Sequence, residues 1–255
     1  MPIDNLDLLL IVCPLVFLGS FVDAIAGGGG LITLPAYLLA GVPPHVALAT
    51  NKLSSSIGMC VSTARLYRNG FINCKMAVFP IGGALIGSWL GAQLALQVPA
   101  ETFQIILVCC LPVVAFLVLR KKTFSPDTRA MPTSQRLIIL CGCGFVCGIY
   151  DGFYGPGSGT FLLLSISMFG GLGLKDAAGQ MRITNFSSGL AALATFAFAG
   201  EINWFLGCIA GLFGIAGHYL GAGLVLDNGE KIVRPVILIV LVCLLLKTVA
   251  YYWCM

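Results

Sequence analysis

Continuous apolar runs dominate this chain, and they decide which solvent it can face. The first extends from Leu6 to Ala26, and nine more follow, separated by short loops that hold most of the charge. Only 9% of side chains are Asp, Glu, Lys or Arg and 58% are apolar, whereas a soluble domain carries about 25% charged residues. Such a surface faces lipid. In hydrocarbon every backbone N–H and C=O must be paired within the protein, which leaves helices or a closed barrel. The runs are continuous rather than alternating, so the expected fold is an all-α polytopic membrane protein. The first run suits a spanning helix better than the apolar core of a cleavable leader, and no basic residue precedes it.

The formal net charge of +4 comes from loop Lys and Arg and forms no basic stripe, so the expected partner is a lipid bilayer and not nucleic acid. The eleven Cys lie mostly inside apolar runs and read as reduced, small apolar side chains. Cys141, Cys143 and Cys147 have no nearby His or fourth Cys, so neither a metal site nor a cofactor is expected.

The chain repeats itself. Gly19 to Gly30, with Asp23 and Gly27 inside it, echoes Gly148 to Gly159, with Asp151 and Gly155. Further on the match settles at one offset: Gly41 with Gly171, Lys52 with Arg182, Gly70 with Gly200, Asn73 with Asn203, Gly87 with Gly217 and Gly91 with Gly221 are each 130 residues apart (171−41, 182−52). The reading is one transmembrane domain, 1–255, with repeat 1 over 1–120, a linker over 121–136 and repeat 2 over 137–255. Each half holds five apolar segments: 6–26, 28–41, 44–66, 76–98 and 102–120, then 137–154, 159–173, 175–199, 204–226 and 232–254. The second of each five is too short to cross about 30 Å of hydrocarbon upright and starts at a Gly-rich break. It is expected to be a broken or re-entrant helix.

Basic residues mark the cytoplasmic side. Arg65, Arg68 and Lys75 flank one loop, and Arg120, Lys121, Lys122, Arg129 and Arg136 fill the central one. Asp4, Asp7, Glu101 and Glu201 mark loops without basic residues. Placing the basic loops inside leaves both termini outside and makes the repeats inverted. The 227–234 loop carries both signs and does not choose, and Lys247 sits within the last apolar run. A parallel four-plus-four arrangement is the alternative if the short segments do not cross.

Two breaks in corresponding places point to a site near the membrane midplane. Gly28, Gly29 and Gly30 in the first, and Gly157, Ser158 and Gly159 in the second, would present successive N–H groups at the positive end of a half-helix, where an anion is welcome. Close helix packing also uses glycine and is the plainer alternative. Beyond each break stands one cation among small polar residues: Lys52 with Asn51 and Ser55, and Arg182 with Asn185. A cation in hydrocarbon costs at least a few kcal/mol, so it faces a cavity or partner, or else snorkels to the interface. Together these groups suit a small tetrahedral or pyramidal oxyanion. Asp23 and Asp151, just ahead of the glycines, are candidates for carrying a coupled proton; capping a helix end or pairing with a cation are equal alternatives. His45 and His218 are left outside the site. Spacing of Gly83, Gly87 and Gly91, and of Gly217 and Gly221, allows close helix contact within the chain or across a homodimer.

The Gly-rich stretch, Leu34-Pro35, the Gly41-Val-Pro-Pro-His-Val-Ala run, Asn51-Lys52, Gly148 to Gly159 and Arg182 to Asn185 resemble the TauE/SafE family, also called the sulfite exporter or TSUP family, in its YfcA-like branch. The likeness covers nearly the whole chain. It implies transport of small sulfur-containing anions, such as sulfite or organosulfonates, across the bacterial inner membrane by a non-enzymatic carrier. Arg182 departs from the Lys that this branch leads one to expect. Sulfite is implied by the resemblance alone, since glycine N–H groups, a cation and hydroxyls would hold sulfite, sulfonate, sulfate or carboxylate comparably. The rival readings are an intramembrane hydrolase using Ser158 and His218, and a structural or regulatory subunit that moves nothing.

Overall fold

The computed structural model describes residues 5–107, 109–110 and 131–224, and within them every regular element is a helix. They are α1 (Asn5–Ala26), α2 (Gly30–Leu39), α3 (Pro44–Arg68), α4 (Cys74–Gln97), α5 (residues 100–107), α6 (Thr133–Phe153), α7 (Ser158–Gly170), α8 (Leu174–Phe198) and α9 (Trp204–Leu224). Most of the 102–120 segment, most of the linker, the 227–234 loop, the 232–254 segment with Lys247, and both chain ends lie outside the described residues.

Among the described residues four helices are long and apolar enough to cross a membrane: α1 over Leu8–Ile25, α4, α6 and α9. Their outward side chains form an apolar belt that includes Leu10, Leu18, Ile86, Ile138, Val146, Leu212 and Leu220. At about 1.5 Å per residue, α2 and α7 span roughly 15 and 20 Å, well short of the hydrocarbon. Both are half-helices, as their length and Gly-rich starts suggest. The third segments differ from expectation. At 25 residues each, α3 and α8 are long enough, yet they carry too many polar residues to count as apolar spans. They pack against each other, and most of their polar side chains are buried among other helices and away from lipid.

Local signals set the boundaries at a constant interval. Asn73 accepts a hydrogen bond from the Met76 N–H to start α4, and Asn203 does the same for Leu206 N–H at α9. Gly41 and Gly171, and Gly70 and Gly200, turn the chain with positive φ between helices. Helix starts at Pro44 and Leu174, and at Cys74 and Trp204, keep the same 130-residue interval. This accords with two related halves.

The small-residue stripes are spent inside the chain. A Cβ on Gly83, Gly87 or Gly91 of α4 would strike the backbone of Cys141, Phe145 or Ile149 on α6, and α6 returns the contact through Gly144 and Gly152 at Pro80 and Ser88. Likewise Gly217 and Gly221 of α9 lie against Phe17 and Phe21 of α1. Each seam joins the fourth segment of one half to the first of the other, so the two halves make equivalent contacts. Gly87→Leu is therefore expected to lower the stability of the detergent-purified protein by about 1–3 kcal/mol or more. Gly82→Ala, one position away where a Cβ meets nothing within 4 Å, should leave it unchanged or slightly raised. Equal melting temperatures for the two would contradict the seam.

Candidate functional site

Both helix breaks are glycine turns that close one helix and open the next. Gly27 ends α1 at φ 72° and Gly155 ends α6 at φ 92°. The second break is longer by one residue, and Gly157, also left-handed at φ 79°, precedes the first turn of α7. The breaks touch each other. A Cβ added to Gly27 would lie 2.6 Å from the Gly159 carbonyl carbon, and one on Gly30 would lie 2.9 Å from Pro156 Cα. The starts of α2 and α7 thus meet head to head, bringing the positive ends of two helix dipoles together.

A carboxylate sits at each start. Asp23 Oδ1 accepts the Gly29 N–H at 3.1 Å. Asp151 Oδ1 accepts the hydroxyl of Ser158, the first residue of α7, at 2.6 Å, and its Oδ2 accepts Ser188 Oγ–H at 2.6 Å. Each carboxylate also holds the cation of the other half. Lys52 Nζ is 2.8 Å from Asp151 Oδ1. Arg182 Nη1 donates to Asp23 Oδ2 at 2.7 Å and Nη2 donates to the Asp23 carbonyl, gripping both side chain and backbone. Lys52 is 4% exposed, Asp151 5% and Arg182 0%. Isolated, any of these charges would cost several kcal/mol to bury; crossed pairing is what makes them tolerable. The centre therefore holds two cations and two carboxylates, with no net charge.

Beside the pairs lies a polar cavity of about 40 Å³, room for roughly three waters or one ligand of a few heavy atoms. Of the residues singled out by sequence, Asp23, Gly29, Gly30, Asn51, Lys52, Ser55, Asp151, Ser158 and Asn185 line it. Gly27 joins them, but Gly159 is taken up by the junction of the two breaks, Gly157 caps the start of α7, Gly28 abuts Thr160, and Arg182 stands behind Asp23. Ser20, Thr33, Met59 and Gly155 also line the cavity, and Ser188 holds Asp151 from behind. His218, which its sequence surroundings left aside, lines it too: the ring is fully buried, with Nε2 3.9 Å from Asp23 Oδ2. The 130-residue register contained a clue. It sets His218 opposite Ser88 and Gly58 opposite Ser188, and Ser88 meets Ser188 on one side of the core while Gly58 meets His218 on the other.

A hydrolase built on Ser158 and His218 requires a hydrogen bond between nucleophile and base. Neither ring nitrogen of His218 makes a hydrogen bond, and the Ser158 hydroxyl faces Asp151 and Asn185. Among the described residues no group of His, Cys, Asp and Glu could hold a metal ion.

Apolar spans around a buried core of paired charges define a multi-pass helical membrane protein with a polar interior. The sulfite exporter TauE/SafE family model matches residues 12–248, and the chain belongs to that family. It is 35% identical over 235 residues to a probable membrane transporter protein of Haemophilus influenzae, covering 92% of each chain. It is 35% identical over 241 residues to the probable membrane transporter protein ORF9 of a Sinorhizobium species, covering 92% of this chain and 89% of the relative. To the probable membrane transporter protein YfcA of Escherichia coli K12 it is 34% identical over 226 residues, 88% and 82% of the two chains. No solved structure matches the chain.

Proposed function

We propose that the chain is a secondary transporter of small anions, sulfite or organosulfonates, in the bacterial inner membrane. In this reading both termini face outward, the 121–136 linker faces the cytoplasm, and two inverted halves alternate access to one central site. The observation that carries it is the crossed ion pairing beside the cavity, where Lys52 of one half meets Asp151 of the other at 2.8 Å. Charges this deeply buried are costly, and in membrane proteins they mark pathways of ions and substrates. A small oxyanion would take the Lys52 ammonium from Asp151. Ser55, Asn51, Ser158 and Asn185 then offer hydroxyl and amide groups, while the glycine N–H groups at Gly28 to Gly30 and Gly157 to Gly159 supply the positive field of two helix starts. Arg182 holds Asp23 and keeps the first break in place.

Electroneutrality adds a condition. With two cations and two carboxylates already balanced, an incoming monoanion leaves one uncompensated negative charge in low dielectric. A proton entering with it restores the balance, and the cavity offers titratable groups to receive it, Asp23 and Asp151 among them. Purified protein in liposomes is expected to move sulfite or a small sulfonate at rates well above those of protein-free vesicles, and faster with the acidic side facing the anion. A panel of sulfite, methanesulfonate, taurine, sulfate and acetate, followed with and without a pH gradient, checks both substrate class and coupling. No flux for any member would sink the proposal.

A further inference from the structure

The two ion pairs are alike in charge but differ in what stands behind them. Behind Lys52–Asp151, Ser188 on α8 donates its hydroxyl to Asp151 Oδ2, and Ser88 on α4 donates its own to the Ser188 carbonyl at 2.6 Å. Stepping back 130 residues from Ser188 gives Gly58 on α3, and stepping forward 130 from Ser88 gives His218 on α9. Behind Arg182–Asp23, then, the two hydroxyls are replaced by an absent side chain and an imidazole. These changes fit each other: a Cβ on Gly58 would collide with His218 Cδ2, so the ring fills the space that the glycine leaves.

The imidazole lies within the bundle with its two nitrogens free of hydrogen bonds, at the wall of the cavity. Charged groups from four elements stand at the same cavity or on the carboxylate beside it. Asp23 faces it from α1 at 3.9 Å, Arg182 reaches the same carboxylate from α8, and Lys52 on α3 and Asp151 on α6 line the same cavity. Arg65 lies toward the next residue's outer face, bonded to the Tyr219 carbonyl. A hydroxyl pair can only redistribute hydrogen bonds, whereas an imidazole can take up a proton and add a whole charge.

Building on the transport reading above, we infer that His218 carries the coupled proton, taking it on one ring nitrogen when the anion enters and releasing it when the anion leaves. With His218 protonated the centre holds three cations and two carboxylates, and one monoanion restores neutrality. The cycle moves one proton with each anion, from the side of higher proton activity, and leaves both ion pairs ionised. One half of the site is thus fixed in charge and the other is variable.

The test uses the full chain in liposomes with methanesulfonate, whose charge is constant over the working pH, so that a coupled proton must ride on the protein. Wild type is expected to accumulate the anion about tenfold per unit of pH difference, the ratio set by one proton per anion. His218→Gln should lower that ratio to within about twofold of equilibrium, since Gln cannot titrate. The double variant Gly58→Ser with His218→Ser rebuilds the hydroxyl pair of the other half and should behave the same, which covers a failure of the single variant to fold. Nitrogen NMR of the two wild-type histidines provides a second readout: His218 should gain its proton on addition of anion while His45 does not. Full accumulation in either folded variant, or a His218 ring that stays neutral with anion present, overturns the coupling and leaves transport standing. Absence of both methanesulfonate and sulfite flux in wild type overturns the transport reading and this inference with it.

Discussion

Lys52→Met is expected to abolish anion flux and to destabilise the folded chain by about 3–5 kcal/mol, the cost of leaving a buried charge without its partner. The stranded group is Asp151, held between the Ser158 and Ser188 hydroxyls with the ammonium gone. Adding Asp151→Asn removes the stranded charge while keeping an acceptor for the serines. The double variant Lys52→Met with Asp151→Asn should therefore melt close to wild type and still transport nothing. Stability and flux separate in this pair of variants, because folding needs only the balance of charge whereas transport needs the cation itself. Thermal unfolding in detergent and flux in liposomes provide the two readouts. Wild-type flux in the double variant would remove Lys52 from the site, and a single variant as stable as wild type would show that Asp151 does not depend on the pair.

A second large effect is expected where the two breaks meet. Gly27 and Gly70 share a φ of 72°, so replacing either by Ala incurs the same left-handed backbone cost of about 1–2 kcal/mol. Their surroundings differ. At Gly70 a Cβ would meet nothing within 4 Å, while at Gly27 it would sit 2.6 Å from the Gly159 carbonyl carbon. Gly27→Ala should lose a further 1–3 kcal/mol or so as the helix starts are pushed apart, and its transport should fall far more than that of Gly70→Ala. Matching stability and flux in the two variants would mean that the half-helices do not need to touch.

Much of the scaffold was legible because lipid and glycine leave strong local marks. Apolar runs located α1, α4, α6 and α9, short runs behind Gly27 and Gly155 located the half-helices, and the repeat was visible as paired glycines and a paired cation. What stayed hidden was relational. Lys52 and Asp151 are far apart in sequence, and Asp23 and Arg182 are 159 residues apart; a sequence shows that each needs a partner but not which one. The same holds for the stripe on α4, whose partner α6 became apparent only in the packed bundle. His218 was passed over because a histidine on a glycine-rich apolar helix looks incidental until Gly58 is seen to make room for it. The polarity of α3 and α8 was read as a local cluster around two cations, when it extends along helices enclosed by their neighbours.

The crossed pairing also bears on how the molecule comes together. Each half supplies one cation and one carboxylate, and neither satisfies the other within its own half. The first half to leave the ribosome therefore carries a cation and a carboxylate whose partners in the folded protein are both still to come. Electrical completion thus coincides with assembly, and the centre of the protein checks that both halves are present and in register before the interior can become dry.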